Sequence, residues 1–312
     1  MVLRIVVVGT SMVAVLLLAT AADGSVSTAA TLSGRFVLTC SGCPQNTSGP
    51  SLYVVQANGK GFRQLQLSGA GAGTSPYHPT WSTHASAIAF SSGFKAIWTL
   101  DLKSGKSRRL THSAELAGDD YPAWSPDGRR LAFSREGAIY TVTRRSGVAR
   151  RLVRRAEKSF LSPDWSPGGR RLVFNSSDDR LYTVQANGSG LRRLPPRLAR
   201  YPRWSPDGKW IAFIRPAARE SLPPRLLVAH ADGSHVRTVV SRDDINWNVN
   251  PAWSRDGRRV AFVITKVFDP KNGYHGNEIM TVRLDGSDPR AVEILQLPPD
   301  VYSEFYGIDW AG

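Results

Sequence analysis

Trp124-Ser125-Pro126-Asp127-Gly128-Arg129-Arg130-Leu131-Ala132-Phe133 carries the signal that decides the fold. Ser-Pro-Asp-Gly is turn chemistry. Serine opens the turn, proline presets φ, and glycine takes the positive φ at the end. Apolar residues on both sides read as strands, so the stretch predicts a β-hairpin. The unit recurs from Trp165 to Phe174, Trp204 to Phe213 and Trp253 to Phe262, and in a degenerate copy from Trp81 to Phe90. In all five copies the phenylalanine follows the tryptophan by nine residues, and Trp310 starts a sixth. Successive tryptophans lie 43, 41, 39, 49 and 57 residues apart. A strand-rich period near 40–45 residues is the mark of a propeller.

A second hairpin follows each first one. Its leading strands include Leu52–Val55, Ile97–Leu100, Ile139–Val142, Leu181–Val184, Leu226–Ala229 and Ile279–Val282. Asn-Gly, Ser-Gly or Asp-Gly pairs then turn the chain, as at Asn58-Gly59 and Asp285-Gly286. Each repeat thus holds four strands, which is one blade. The ends complete each other. Trp310 lies two residues from the C-terminus, while Phe36–Thr39 and Leu52–Val55 match second and third strands with no tryptophan strand before them. The last strand is expected to join them and close the ring, removing a free edge. The prediction is an all-β, six-bladed β-propeller of four-stranded antiparallel blades. The recurring Trp and Phe read as core wedges between blades, since sugar-stacking residues would not repeat in every copy.

The Trp-Ser-Pro-Asp-Gly hairpin, followed by an Ile-Tyr-type strand and Asp/Asn-Gly, resembles the repeat of TolB and its relatives. The resemblance covers about residues 34–312. It implies the fold and leaves the activity open, because one propeller architecture hosts many functions. TolB looks like an N-terminal α/β domain followed by the propeller, and only some twelve residues here separate the expected signal from the first strand. The Tol-Pal role, which uses both domains, is therefore not implied. Similar repeats accompany prolyl-oligopeptidase-like peptidases, but a Gly-x-Ser-x-Gly nucleophile elbow is missing from this sequence.

Residues 1–21 read as a signal peptide: Arg4 near the start, an apolar run from Ile5 to Leu18, and Ala19-Thr20-Ala21 as a small-x-small cleavage pattern. The alternative is an uncleaved anchor, for which the run is short. Residues 22–33 follow as a linker and 34–312 as the propeller. A secreted or periplasmic location is expected, where Cys40 and Cys43 would form a small disulfide. The formal net charge is +15. Arginines on the outer strands read as edge protection, or as attraction to acidic envelope polymers or anionic headgroups. Nucleic acid is not expected as a partner of an exported chain.

Propeller loops fall on two faces. One carries the uniform Ser-Pro-Asp-Gly and Asn-Gly turns. The other carries variable links: 41–50, 111–120, 215–224, 241–248, 264–276 and 294–306. Loops on a rigid scaffold carry function, so a binding surface is expected on the link face. First strands should line the channel. Three positions before each Trp stand His78, Tyr121, Ser162, Tyr201, Asn250 and Gly307; directly before it stand Thr80, Ala123, Asp164, Arg203, Ala252 and Asp309. His78, Tyr121, Asp164, Tyr201, Arg203, Asn250 and Asp309 are the candidate ligand-binding residues, although such groups also pair with one another or with channel water. Asp119-Asp120, Asp178-Asp179 and Asp243-Asp244 lack calcium-loop spacing. No metal or cofactor site and no catalytic residue is selected. The expected function is a monomeric, non-catalytic scaffold that binds a protein partner. The alternatives are a hydrolase or lyase on a glycan or small ester, and a glycan- or solute-binding propeller.

Overall fold

Each turn is built by its own side chains. The Ser125 hydroxyl donates to Asp127 Oδ1 (2.5 Å), and its oxygen accepts the Arg130 N–H (2.9 Å). Asp127 Oδ1 also accepts the Arg129 N–H (3.0 Å), and Gly128 takes φ 66°. The Ser125 hydroxyl bond holds the Asp127 carboxyl below the usual carboxylate range. The same ties recur at Ser205–Asp207 and Ser254–Asp256. Where Gly168 replaces the aspartate, the Ser166 hydroxyl still accepts the Arg171 N–H (3.1 Å).

A computed structural model describes residues 32–43, 49–68, 73–93, 95–112, 118–217, 223–269, 274–294 and 303–311. The chain divides into Met1–Thr31 and Leu32–Gly312. The expected signal and most of the linker lie outside the described residues, as do parts of the variable links: 44–48, 113–117, 218–222, 270–273 and 295–302.

Among the described residues of the second unit, twenty-four strands form six four-stranded sheets. The chain opens with β1 (Arg35–Ser41), β2 (Ser51–Gln56) and β3 (Arg63–Gln64). Blade 1 is β4 (Pro76–Trp81), β5 (Ala87–Ser92), β6 (Ala96–Asp101) and β7 (Ser107–Arg109). Blade 2 is β8 (Asp119–Trp124), β9 (Arg130–Arg135), β10 (Ala138–Thr143) and β11 (Ala149–Val153). Blade 3 is β12 (Phe160–Trp165), β13 (Arg171–Ser176), β14 (Arg180–Gln185) and β15 (Arg192–Arg197). Blade 4 is β16 (Arg200–Trp204), β17 (Trp210–Arg215), β18 (Arg225–His230) and β19 (Arg237–Ser241). Blade 5 is β20 (Ala252–Trp253), β21 (Arg259–Asp269), β22 (Tyr274–Arg283) and β23 (Arg290–Ala291). β24 (Glu304–Ala311) completes blade 6 by pairing antiparallel with β1, in the order β24-β1-β2-β3. Phe36 then faces Trp310, and Leu38 faces Ile308.

The core lies between blades. Phe133 and Trp124 of blade 2 pack with Ala87, Ala89 and Ile97 of blade 1; Phe160, Trp165 and Phe174 of blade 3 pack with Ala132 and Ile139 of blade 2. The repeat phenylalanines are all within 1% of full burial. Each such side chain contributes roughly 2–3 kcal/mol. One expectation is corrected. Residues 264–276 are not simply a connecting loop, because β21 and β22 extend into a long hairpin with pairing from Arg259↔Arg283 to Asp269↔Tyr274. Cys40 and Cys43 are joined in a disulfide at the end of β1, with Cα atoms 5.9 Å apart.

Closure gives a direct expectation. The buried Trp310 ring lies 4.7 Å from Phe36, and its indole N–H donates to the Ser33 carbonyl (3.0 Å). Trp310→Ala should lower unfolding free energy by ~3–5 kcal/mol in a denaturant titration, whereas Trp310→Phe should lose less.

Candidate functional site

The inner strands are not regular. Pairing breaks register between Tyr77 and Thr80, Asp120 and Ala123, Leu161 and Asp164, and Arg200 and Arg203. In each break one residue takes the left-handed conformation: His78 (φ 48°), Tyr121 (53°), Ser162 (52°) and Tyr201 (54°). A proline follows each of them. Proline has no N–H for a ladder, and an edge strand with a bulge is where a sheet tolerates it. Left-handed backbone is costly for a side-chain-bearing residue. Its recurrence in four blades makes it part of the blade design. In blade 6 the equivalent is Gly307, where a Cβ would stand 3.0 Å from His78 Cα and 3.1 Å from Pro79 Cδ. A side chain there would crowd the backbone of blade 1, and φ at Gly307 is 154°, which side-chain-bearing residues rarely adopt.

The bulges bring aromatic residues of different blades together at the link-face end of the channel. The His78 and Tyr121 rings stack with centroids 4.0 Å apart, and Tyr121 lies 5.9 Å from Tyr201. On the other side Tyr77 meets Tyr306 edge-on at 5.2 Å. Tyr306, Tyr77, His78, Tyr121 and Tyr201 thus form one partly exposed arc. Burial raises the Tyr121 and Tyr201 phenols above their ordinary value, so both stay neutral. His78 Nδ1 lies 2.7 Å from Asp120 Oδ1. A carboxylate only accepts, so this nitrogen carries the proton when Asp120 is ionised. Asp120 Oδ1 also accepts from the Ser91 hydroxyl and the Tyr121 N–H, each at 2.7 Å. A cavity of about 180 Å³ adjoins His78, walled by Asn246, Asn277, Glu304 and Tyr306.

A second layer lies next to the tryptophans. Asp164 Oδ2 accepts the Trp204 N–H of the next blade (2.7 Å). Asp309 Oδ2 accepts the Trp81 N–H (2.7 Å) and the Thr80 hydroxyl (3.0 Å). These carboxylates stand on blades 3 and 6, opposite in the ring, and each satisfies an edge N–H of its neighbour. Desolvation pushes Asp164 up to about 6, against the favourable charge of Arg203. Desolvation likewise raises Asp309. The Arg203 guanidinium donates to the Pro202 carbonyl (3.0 Å); among the described residues no ion pair within 4.0 Å joins it to either aspartate. A cavity of about 610 Å³ opens beside this layer on the turn face, lined by Trp81, Trp253, Trp310, Arg35, Arg255 and Asp309.

The candidate residues therefore separate. His78, Tyr121 and Tyr201 share the aromatic arc, and Asp164, Arg203 and Asp309 share the second layer. Asn250 joins neither. Its buried amide donates to the Ile308 carbonyl (2.6 Å) and ties blade 5 to blade 6. Asp120, Tyr77 and Tyr306 are missing from the sequence-based set. Their signal was position: Asp120 and Tyr77 precede the bulge residues, and Tyr306 precedes Gly307. Four members of the acidic pairs are taken up elsewhere. Arg135 holds Asp119 in a bidentate pair, Arg200 does the same for Asp179, Lys158 pairs with Asp178, and Arg242 with Asp244. Among the described residues no group of three or more His, Cys, Asp or Glu is placed to hold a metal ion, and no helix is long and apolar enough to cross a membrane.

A closed ring of six four-stranded blades is a β-propeller, and the repeat makes it one of TolB type. The family model described as the TolB beta propeller domain matches residues 79–222. The Tol-Pal system protein TolB of Francisella tularensis subsp. mediasiatica is 26% identical over 229 residues, covering 69% of this chain and 50% of that protein. The uncharacterized peptidase YuxL of Bacillus subtilis is 31% identical over 162 residues, covering 38% of this chain and 24% of that protein. The chain thus spans between a quarter and half the length of these relatives. The crystal structure of TolB from Acinetobacter baumannii superposes with a TM-score of 0.70 at 19% identity, over 90% of this chain and 67% of that one.

The buried carboxylates predict a pH effect of definite sign. With its pKa raised, folded Asp164 holds a proton that the unfolded chain has released, so stability falls as pH rises from about 4 through about 6. Asp164→Asn abolishes this titration and keeps an acceptor for the Trp204 N–H. Lowering the pH from about 7 to about 4 should stabilise the native protein, relative to Asp164→Asn, by about 2 kcal/mol in paired denaturant titrations.

Proposed function

We propose that this propeller is an exported, non-catalytic scaffold that binds a protein partner at the link-face mouth of its channel. The aromatic arc carries the reading. Tyrosine supplies rigid, amphipathic contact area at low entropic cost and is enriched where proteins meet. Here four tyrosines and His78 are gathered from four blades at one rim, in partly exposed positions. Side chains capable of chemistry are committed to the wall: Asp164 and Asp309 hold backbone N–H groups, and Asp120 holds His78 and Ser91. That leaves recognition to rings and loops. The likeness to a Tol-Pal system protein supports a protein partner, and the N-terminal apolar run supports export to the envelope or beyond.

One observation favours a second reading. The polar cavity beside the arc, with Asn246, Asn277 and Glu304, has the mixture of rings and amides that suits a glycan or other polar solute. A hydrolase or lyase would use the same cavity, with the His78–Asp120 pair as its base.

Capture from an envelope extract separates these readings. Tyr121→Ala with Tyr306→Ala should abolish recovery of a specific protein, while Arg255→Ala with His84→Ala on the turn face should leave it intact. The reverse pattern would refute the placement. Glycan-array binding lost in the arc variant, with no protein captured, would support the second reading. Turnover of glycan or ester substrates lost in His78→Ala would establish an enzyme.

A further inference from the structure

The net charge is concentrated in one sector of the ring. Residues 129–200, most of blades 2 and 3, hold 17 Lys+Arg against 5 Asp+Glu. Residues 201–312 hold 14 of each, and residues 1–128 hold 9 against 6. Edge protection does not account for this. A single outer-strand arginine serves blades 4, 5 and 6, as Arg237, Arg290 and Arg63, beside the neutral Thr238, Ala291 and Gln64. The same two register positions hold arginine pairs in blades 1, 2 and 3: Arg108-Arg109, Arg150-Arg151 and Arg192-Arg193. All six are exposed. The Arg108 guanidinium donates to the Arg144 carbonyl (3.3 Å), drawing the basic edges of blades 1 and 2 together.

The acids in and beside the sector leave a net positive charge: Glu136 and Glu157 are exposed within it, and Asp101 lies 3.9 Å from Arg144. Asp178 and Asp179 are paired with Lys158 and Arg200, and Asp164 lines the channel. Among the described residues no ion pair reaches Arg150, Arg151, Arg192 or Arg193. Sixteen of the seventeen cations in the sector are arginine. Its planar fork suits anions that offer two oxygens at once.

We infer that the outer edge of blades 1–3 binds a linear acidic polymer whose repeating anion is a phosphate or a carboxylate. The shape of the basic region favours a polymer over a membrane. Exposed arginines run from the turn face (Arg129, Arg144, Arg145, Arg170), over the outer strands, to the link between blades 2 and 3 (Arg154, Arg155). A flexible chain can follow that convex path, and a flat bilayer cannot. The large apolar side chains exposed there, Val148 (61%) and Leu198 (40%), sit in a β10–β11 turn and a blade 3–4 link, on opposite faces, so one bilayer cannot receive both. Aromatic platforms for nucleobases are lacking among the described exposed residues of the sector.

The test uses the full chain with long-chain polyphosphate and with alginate as phosphate and carboxylate probes, titrated over a range of salt. Binding to one or both is expected, with log affinity falling linearly against log salt. Replacing Arg150, Arg151, Arg192 and Arg193 by Gln should weaken it roughly tenfold or more and flatten the salt slope. Replacing Lys209, Arg237, Arg258 and Arg283 by Gln removes the same charge elsewhere and should change affinity less than about twofold. The corresponding fourfold Arg→Lys variant preserves charge and should retain part of the binding, which keeps the test decisive if the Gln variant fails to fold. Equal losses from both Gln variants would overturn the inference. So would binding to neither polymer, or tighter binding to phosphatidylglycerol vesicles or to an oligonucleotide than to either polymer.

Discussion

The structure depends on a single pairing, β24 against β1. A propeller has no central core. Its apolar surface is shared between neighbouring blades, as when Phe133 packs beneath Ala89 and Phe174 beneath Ala132. Every blade therefore needs a neighbour on both sides. Pairing of Trp310 with Phe36 joins the two ends of the chain inside one sheet, so the sixth blade supplies that neighbour to both blade 5 and blade 1. The channel exists only because the ring is shut, and the aromatic arc reaches blade 6 because Tyr306 of β24 comes against Tyr77 of β4.

Much of this was legible in the sequence because its causes are local. Ser125, Asp127 and Gly128 build their turn from within four residues, and the nine-residue step from Trp124 to Phe133 follows from the hairpin. The closure was legible because β24 and β1 each lack what the other has. The site was harder to read, since its contacts cross between blades. His78 meets Asp120 from 42 residues away, and Thr80 meets Asp309 from 229. Such pairings depend on the ring angle, which no local motif encodes. Asn250 occupies the same repeat position as His78 and Tyr121, yet its amide is drawn to a backbone carbonyl because blade 5 lacks the left-handed residue at that point.

The bulge shows how a repeat can be structural and still create a site. Prolines 79, 122, 163 and 202 remove an N–H from the strand edge facing the channel, and the residue before each turns left-handed. The backbone solution is constant, while the side chain it presents varies among His78, Tyr121, Ser162 and Tyr201. A conserved geometry thus carries a variable surface, and the link-face mouth gains its character from four independent choices. Next to the tryptophans the logic differs. There Asp164 and Asp309 are held by backbone N–H groups, so their identity is bound up with the joining of blades.

The antiparallel register of the closing pair has a mechanical consequence. Arg35 at the start of β1 faces Ala311 at the end of β24, so both strands leave the ring at the same point. A force applied between the two ends of the chain would peel this pair apart one hydrogen bond at a time, like a zipper, rather than shear all of them together. Tension entering through the termini would meet the least resistance the ring offers. Tension along the two strands from opposite ends would instead load several of their hydrogen bonds at once.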